Sequence, residues 1–327
     1  MSHLKVDLRV DVSPASGLPG PNDLAVTIFL PPPERLPSKP VVIFAVPGGG
    51  YARGYYDMSF PGREGYSEAD HHTAKGLIVV AIDHLGVGDS TLPDLSAITY
   101  TSWAATFDAA VREITARLAA GTVHSAFPPL RQSVSIGMGQ SLGGAILIKT
   151  QGWHATFDAI ICLGSSAVHN VLPHRTAAEI ERDKELLVSV EYSSPAALSP
   201  VGGDHLYAFF FDDVPTEVVN ADTKGGYPFR KIVPPFGSRT LPDCALQVMI
   251  PGFVAQEAAR IEAPVLTVFG ERDVSPDPHA EPAAFAKSSD VSLFVVPSMA
   301  HMHNFASTRA VLWDRIAGWC GVIARAT

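Results

Sequence analysis

Ser141 sits in the stretch Ser135-Ile-Gly-Met-Gly-Gln-Ser-Leu-Gly-Gly144, and the pattern Gly139-x-Ser141-x-Gly143 lies between a short Val/Ile run and a run of small, apolar residues. A strand before this pentapeptide and a helix after it predict a sharp turn that lifts the serine Oγ to the top of a sheet as a nucleophile. Side chains at the flanking positions would strike the strand and the helix, which is why glycines stand there. The helix N-terminus behind the serine favours negative charge developing in front of it. The competing structural reading is a plain glycine-rich turn. A dinucleotide fingerprint fails, because Leu142 occupies the place of the third glycine after Gly137 and Gly139.

A serine nucleophile needs a base, and the base needs a carboxylate to orient it. Behind an elbow of this kind the order is acid, then histidine. The run 265–269 leads into Gly270-Glu-Arg-Asp273-Val, which predicts Asp273 on a loop at a strand's carboxyl end; Glu271 and Asp277 are its rivals. The run 291–296 leads into Pro297-Ser-Met-Ala-His301-Met-His303, where His301 and His303 compete for the base. His301 is preferred because it directly follows a small residue in the turn. The His-x-His pair has no carboxylate or third histidine at matching spacing, so no metal is expected there. An oxyanion hole is expected from Val46-Pro-Gly-Gly-Gly-Tyr51. Glycines let bare backbone approach a ligand, and Gly49, Gly50 and Leu142 are the predicted N–H donors.

These groups need a scaffold. Short apolar runs at 41–46, 77–82, 134–136, 159–163, 265–269 and 291–296 suit strands buried on both faces of a parallel sheet. Two alternating segments, 6–12 and 24–30, read as antiparallel strands. Between the apolar runs, Trp103, Phe107, Ala110, Ile114 and Leu118 form one helical stripe, and Val311, Ile316 and Cys320 another. Alternating strand and helix predicts a doubly wound α/β fold. The rhythm breaks beyond residue 167, where Thr176-x-x-Glu179 reads as a capping box opening a helix to about Val190, before turn-rich, aromatic-dotted sequence.

Composition narrows the classes. The 327 residues are 46% hydrophobic and 17% charged, which supplies a large core and excludes extensive disorder. A net charge of −9 argues against nucleic acid or an anionic membrane as the partner. No apolar run approaches the roughly 20 residues of a membrane span. Cys162, Cys244 and Cys320 fit no metal or redox spacing and read as buried thiols. With a polar N-terminus, this predicts a cytoplasmic protein. Its partner would be a small-molecule substrate, and a homo-oligomer is compatible with the sequence.

Together these motifs resemble the α/β-hydrolase family. Gly-Gln-Ser141-Leu-Gly, Gly270-x-x-Asp273 and the loop carrying His301 match the family's triad in order and placement. Asp83-His-Leu-Gly86-Val-Gly88-Asp-Ser90 resembles the family's structural turn after its fourth strand, so His84 is assigned no catalytic role. Pro47 departs from the histidine that many esterases carry before the glycines, leaving the backbone donors available. The loop after the sixth strand, Gly164-Ser-Ser-Ala-Val168, offers no acid, which supports Asp273. The resemblance implies a mostly parallel sheet flanked by helices, built from 1–167 and 263–327, with 168–262 as a helical or irregular cap inserted after the sixth strand. Tyr51, Phe209, Phe210, Phe211 and Phe253 are the candidate substrate-lining residues.

The expected activity is hydrolysis of a carboxylic ester or lactone of a neutral, largely apolar small molecule through an acyl-enzyme, without a cofactor. Amide hydrolysis or acyl transfer on the same triad, and a non-catalytic ligand receptor, are the alternatives.

Overall fold

The computed structural model describes residues 3–179, 181, 205–227 and 230–327. Eight strands form one sheet: β1 (Leu4–Asp11), β2 (Asp23–Leu30), β3 (Val41–Val46), β4 (Ile78–Ile82), β5 (Val134–Gln140), β6 (Ala159–Leu163), β7 (Val265–Arg272) and β8 (Val291–Ala300). Their spatial order is β1-β2-β4-β3-β5-β6-β7-β8. Strands β3 to β8 run parallel, while β1 and β2 are antiparallel at one edge. The sequence explains the placement. Every residue of β3, β4 and β6 is buried, as a strand covered on both faces requires, whereas β1 alternates along most of its length and forms the edge.

The helices are α1 (Ser13–Ser16), α2 (Glu68–Thr73), α3 (Tyr100–Ala120), α4 (Leu142–His154), α5 (His205–Phe209), α6 (Thr216–Thr223), α7 (Ala255–Ala258) and α8 (Arg309–Ala326). Helices α3 and α4 pack one face of the sheet around Trp103, Phe107, Ile114 and Ile146. Helix α8 packs the other around Trp313, Ile316 and Ile323. The expected α3 stripe is buried throughout, and a Thr99–Ser102 capping box starts the helix. In α8 the stripe differs from expectation: Val311 is exposed, and its neighbour Leu312 turns inward beside Trp313.

Three strands run past their expected ends. β5 continues to Gln140, and β7 and β8 stay paired as far as Arg272 and Ala300 across an irregularity between Gly270 and Arg272. The segment 297–300, expected as loop, is therefore strand, with Ser298 in the left-handed region at φ 50°. The turn after β4 is structural, as expected. Asp83 accepts the Asp89 N–H at 2.9 Å, and Ser90 Oγ donates to the Asp83 carbonyl at 2.6 Å.

The chain between β6 and β7 is an insertion that, among the described residues, contributes no strand to the sheet. Thr176 and Glu179 form the expected capping box, and residues 177–179 are helical; the helix expected to run on to Val190 falls outside the described residues. The insertion bonds to the carboxyl edge of the sheet. Ala52 N–H donates to the Phe236 carbonyl, while His301 and Met302 N–H donate to Ala208 and Phe209.

Candidate active site

Ser141 occupies the N-cap position of α4 at φ 52°, ψ −118°, a backbone region that costs an ordinary residue free energy and persists where surroundings enforce it. The enforcement is visible on both sides. A side chain on Gly139 would run into the Gly143 carbonyl, and one on Gly143 into the Val46 carbonyl. The flanking glycines are thus required by close approach of three backbones, as the elbow predicts.

His301 links this serine to an acid. Its Nε2 lies 2.9 Å from Ser141 Oγ, and its Nδ1 lies 2.7 Å from Asp273 Oδ1. Asp273 is 7% exposed and His301 3%. The carboxylate accepts Val274 N–H on Oδ1 at 2.7 Å and Gly270 N–H on Oδ2 at 2.9 Å. Burial works to raise the Asp273 carboxyl, but its interactions with His301 and His303 outweigh that and hold it well below the usual carboxylate range. The rival acids lie elsewhere. Glu271 is exposed and accepts Ser298 N–H, while Asp277 caps a short turn through His279 N–H.

His303 also binds Asp273, its Nε2 2.7 Å from Oδ2. The two histidines therefore share one acid, and the serine bond belongs to His301. Sequence reasoning had set them as competitors, and the shared acid was not foreseen. Gln140 was missed too: its Nε2 donates to the His301 carbonyl at 3.0 Å, tying the elbow to the histidine turn. Its position directly before Ser141 was the available signal.

The glycine loop after β3 makes a turn closed by Tyr51 N–H to the Gly48 carbonyl, with Gly50 at φ 78°. A Cβ on Gly48 would lie 3.1 Å from that of Ser141, and one on Gly49 would lie 3.6 Å from the Leu142 side chain and 3.5 Å from Leu241. Gly49 therefore sits beside Ser141 and Leu142. Gly50 faces the insertion instead: a Cβ there would lie 2.9 Å from the Tyr227 ring, and its carbonyl accepts from Arg230 Nη1 and Ser238 N–H. Tyr227 Oη donates to the Gly49 carbonyl at 3.1 Å. Arg230 and Asp222 form a fully buried ion pair, and Tyr51 Oη donates to Asp222 Oδ2 at 2.7 Å. Nothing in the local spacing of the insertion signalled this cluster.

Of the five candidate lining residues, Phe209 lies beside the histidine, ring centroids 5.6 Å apart. The others are placed elsewhere. Tyr51 is buried in the Asp222–Arg230 cluster. Phe210 packs edge-on to Phe305 in the core, and Phe211 lies under the Arg272 guanidinium. Phe253 packs on Tyr100 and, with Lys149, Trp153 and Cys244, lines a separate cleft of about 460 Å³. α5 ends at Phe209, and Phe210 and Phe211 leave the helix toward partners of their own. His84 stands apart from the relay, its ring 4.9 Å from that of Trp103. The three cysteines are buried and unpaired. Among the described residues no three His, Cys, Asp or Glu gather as a metal site, and no helix is long and apolar enough to cross a membrane.

No family model matches the sequence, and no curated protein matches it by sequence. Solved structures do match in three dimensions. A thermophilic esterase from Thermogutta terrifontis is 12% identical with a TM-score of 0.59, covering 97% of this chain and 99% of its own. A haloalkane dehalogenase loop variant from Bradyrhizobium elkanii is 13% identical with a TM-score of 0.61, at 99% and 98% coverage. A soluble variant of monoglyceride lipase from Saccharomyces cerevisiae is 16% identical with a TM-score of 0.60, covering 92% of each chain. The chain has the α/β-hydrolase fold, with an insertion after β6.

Proposed function

We propose that the protein is a serine hydrolase that cleaves a carboxylic ester or lactone of a neutral, largely apolar small molecule. The observation that carries this reading is the position of His301 between Ser141 Oγ, at 2.9 Å, and Asp273 Oδ1, at 2.7 Å. His301 Nε2 takes the Oγ proton as Oγ bonds to the substrate carbonyl carbon, and the carbonyl electron pair moves onto oxygen. The N–H groups of Leu142 and Gly49 hold that oxyanion, Leu142 from the first turn of α4, where backbone donors lack helical partners. The tetrahedral centre collapses, the C–O bond breaks, and the departing alkoxide takes the proton from His301. Water, deprotonated by the same ring, then releases the acid. Asp273 keeps His301 in the tautomer with Nδ1–H and stabilises its cationic form.

The nucleophile type selects acyl transfer, and esters precede amides because alkoxides leave more readily than amines. Phe209, Leu142 and Leu241 around the loop support an apolar acyl or alcohol group. Between residues 168 and 258, 7 basic and 12 acidic residues hold −5 of the overall −9, which disfavours anionic substrates.

A fluorophosphonate probe and a panel of p-nitrophenyl esters of rising chain length, lactones and amides test the reading. Ser141 is expected to carry the label, and neutral esters to turn over. A Ser141→Ala protein with full turnover would overturn it.

A further inference from the structure

A serine–histidine–acid relay needs one histidine on its carboxylate, and Asp273 has two. Each carboxylate oxygen takes one ring and one backbone N–H: His301 and Val274 on Oδ1, His303 and Gly270 on Oδ2. His303 is 1% exposed, and its Nδ1 has no hydrogen-bond partner. With a carboxylate facing Nε2, the proton sits on Nε2, and Nδ1 keeps a bare lone pair. A proton on Nδ1 would be a buried N–H with no acceptor, so the geometry selects the Nε2–H tautomer.

The two rings are 6.5 Å apart between centroids and steeply inclined at 77°. The turn that sets them is tight, with His303 N–H donating to the His301 carbonyl at 3.1 Å. It is anchored one residue on, where Asn304 N–H donates to Tyr55 Oη and Asn304 Nδ2 to Glu68 Oε2.

We propose that His303 is a positioning residue that acts through Asp273, fixing the rotation of its carboxylate and setting how strongly that carboxylate draws a proton onto His301. This rests on the serine-hydrolase reading above. The His303 N–H draws negative charge toward Oδ2 and so moderates the pull of Oδ1 on the His301 cation. Without it the carboxylate turns more freely, and its whole charge favours His301 in the protonated form, which cannot act as a base. The other titratable groups around this turn are Tyr55 on the short helix after β3, Glu68 and His72 on α2, and beyond them Tyr51 with Asp222. All stay in place in the test.

The test compares His303→Phe, which keeps a planar ring without the donor, with His303→Gln, which keeps an amide donor. The substrate is an ester whose turnover is abolished by Ser141→Ala. His303→Phe is expected to lower kcat about 10- to 100-fold with KM little changed, the size of losing one hydrogen bond to a charged group. The acidic limb of its kcat/KM profile moves up by roughly half to one pH unit, and His303→Gln recovers much of both. Equal losses in both variants with an unmoved limb would overturn the proposal, as would a wild-type profile in His303→Phe. A measurement on the unaltered protein guards against misfolding of the variants. Nitrogen-15 resonances at the pH of the turnover assay are expected to show the His303 ring proton on Nε2; a His303 that carries it on Nδ1 overturns the proposal. Failure of Ser141 to label or to matter for turnover overturns the hydrolase reading instead, so the two failures are distinct.

Discussion

Replacing Arg230 with methionine tests whether the insertion holds the glycine loop through a buried charge. The Arg230 and Asp222 side chains are both 0% exposed. Arg230 also donates to the Gly50 carbonyl, and its guanidinium lies 4.8 Å from both the Tyr51 and the Tyr227 ring centroids. Burial pushes the Asp222 carboxyl up, and Arg230 opposes that shift. Methionine removes the guanidinium and leaves the Tyr51 hydroxyl on Asp222 Oδ2. Removing one partner of a buried pair costs ~3–5 kcal/mol, most of it from the charge left behind. Pairing the change with Asp222→Asn removes that charge, so the double variant is expected to recover about 2–3 kcal/mol relative to Arg230→Met. Urea unfolding followed by tryptophan fluorescence measures both. The single variant should also regain stability as pH falls, because an unpartnered Asp222 takes up a proton more readily in the folded chain than in the unfolded one. Arg230→Met within about 1 kcal/mol of wild type, or no recovery in the double variant, would refute the reasoning.

Three further outcomes follow from particular contacts. Gly143→Ala places a methyl group against the Val46 carbonyl and is expected to cost about 1–3 kcal/mol while lowering kcat; a stable, fully active variant would count against the elbow. Asp273→Asn should lower kcat by roughly 10⁴-fold, whereas Glu271→Gln, on an exposed carboxylate bound to Ser298 N–H, should change it little; the reverse ranking would reassign the acid. Burial depresses His84 to about 3, below the ordinary value, so between those values the unfolded chain binds the proton and the folded one does not. Stability is therefore lost as pH falls through that window, by ~1.4 kcal/mol per unit. Urea unfolding at pH 7.5 and 4.5 should show a loss ~2.7 kcal/mol smaller in His84→Phe than in wild type, and equal losses would exclude the effect.

The core strands and the Ser–Asp–His order were legible because each follows from local chemistry. A wholly apolar run means a doubly covered strand, and a glycine on each side of a serine means a turn with no room for Cβ. What escaped depends on partners distant in the chain. The sequence favours His301 over His303 as the base, but only the geometry of β7 against β8 gives each one oxygen of Asp273. Strand β8 outruns its apolar segment because pairing with β7 carries it past Pro297 to Ala300. The three consecutive phenylalanines were read as one surface, yet Phe209 meets His301, Phe210 meets Phe305 and Phe211 meets Arg272.

The same contacts change what the insertion does. Arg230 and Tyr227 take the carbonyls of Gly50 and Gly49. Ala208 and Phe209 accept the N–H groups of His301 and Met302. Arg272, the residue before Asp273, donates to the Phe210 carbonyl at 2.7 Å and to Asp212 at 3.1 Å. The proposed oxyanion loop, base and acid are each bonded, directly or one residue away, to the chain between β6 and β7, while the serine elbow packs against core backbone. A catalytic geometry must be kept within about half an ångström, and a cover that merely excluded water would not need to grip these turns. On the proposed serine-hydrolase reading the insertion braces the relay, and substitutions in it that never touch substrate are expected to lower kcat before they raise KM.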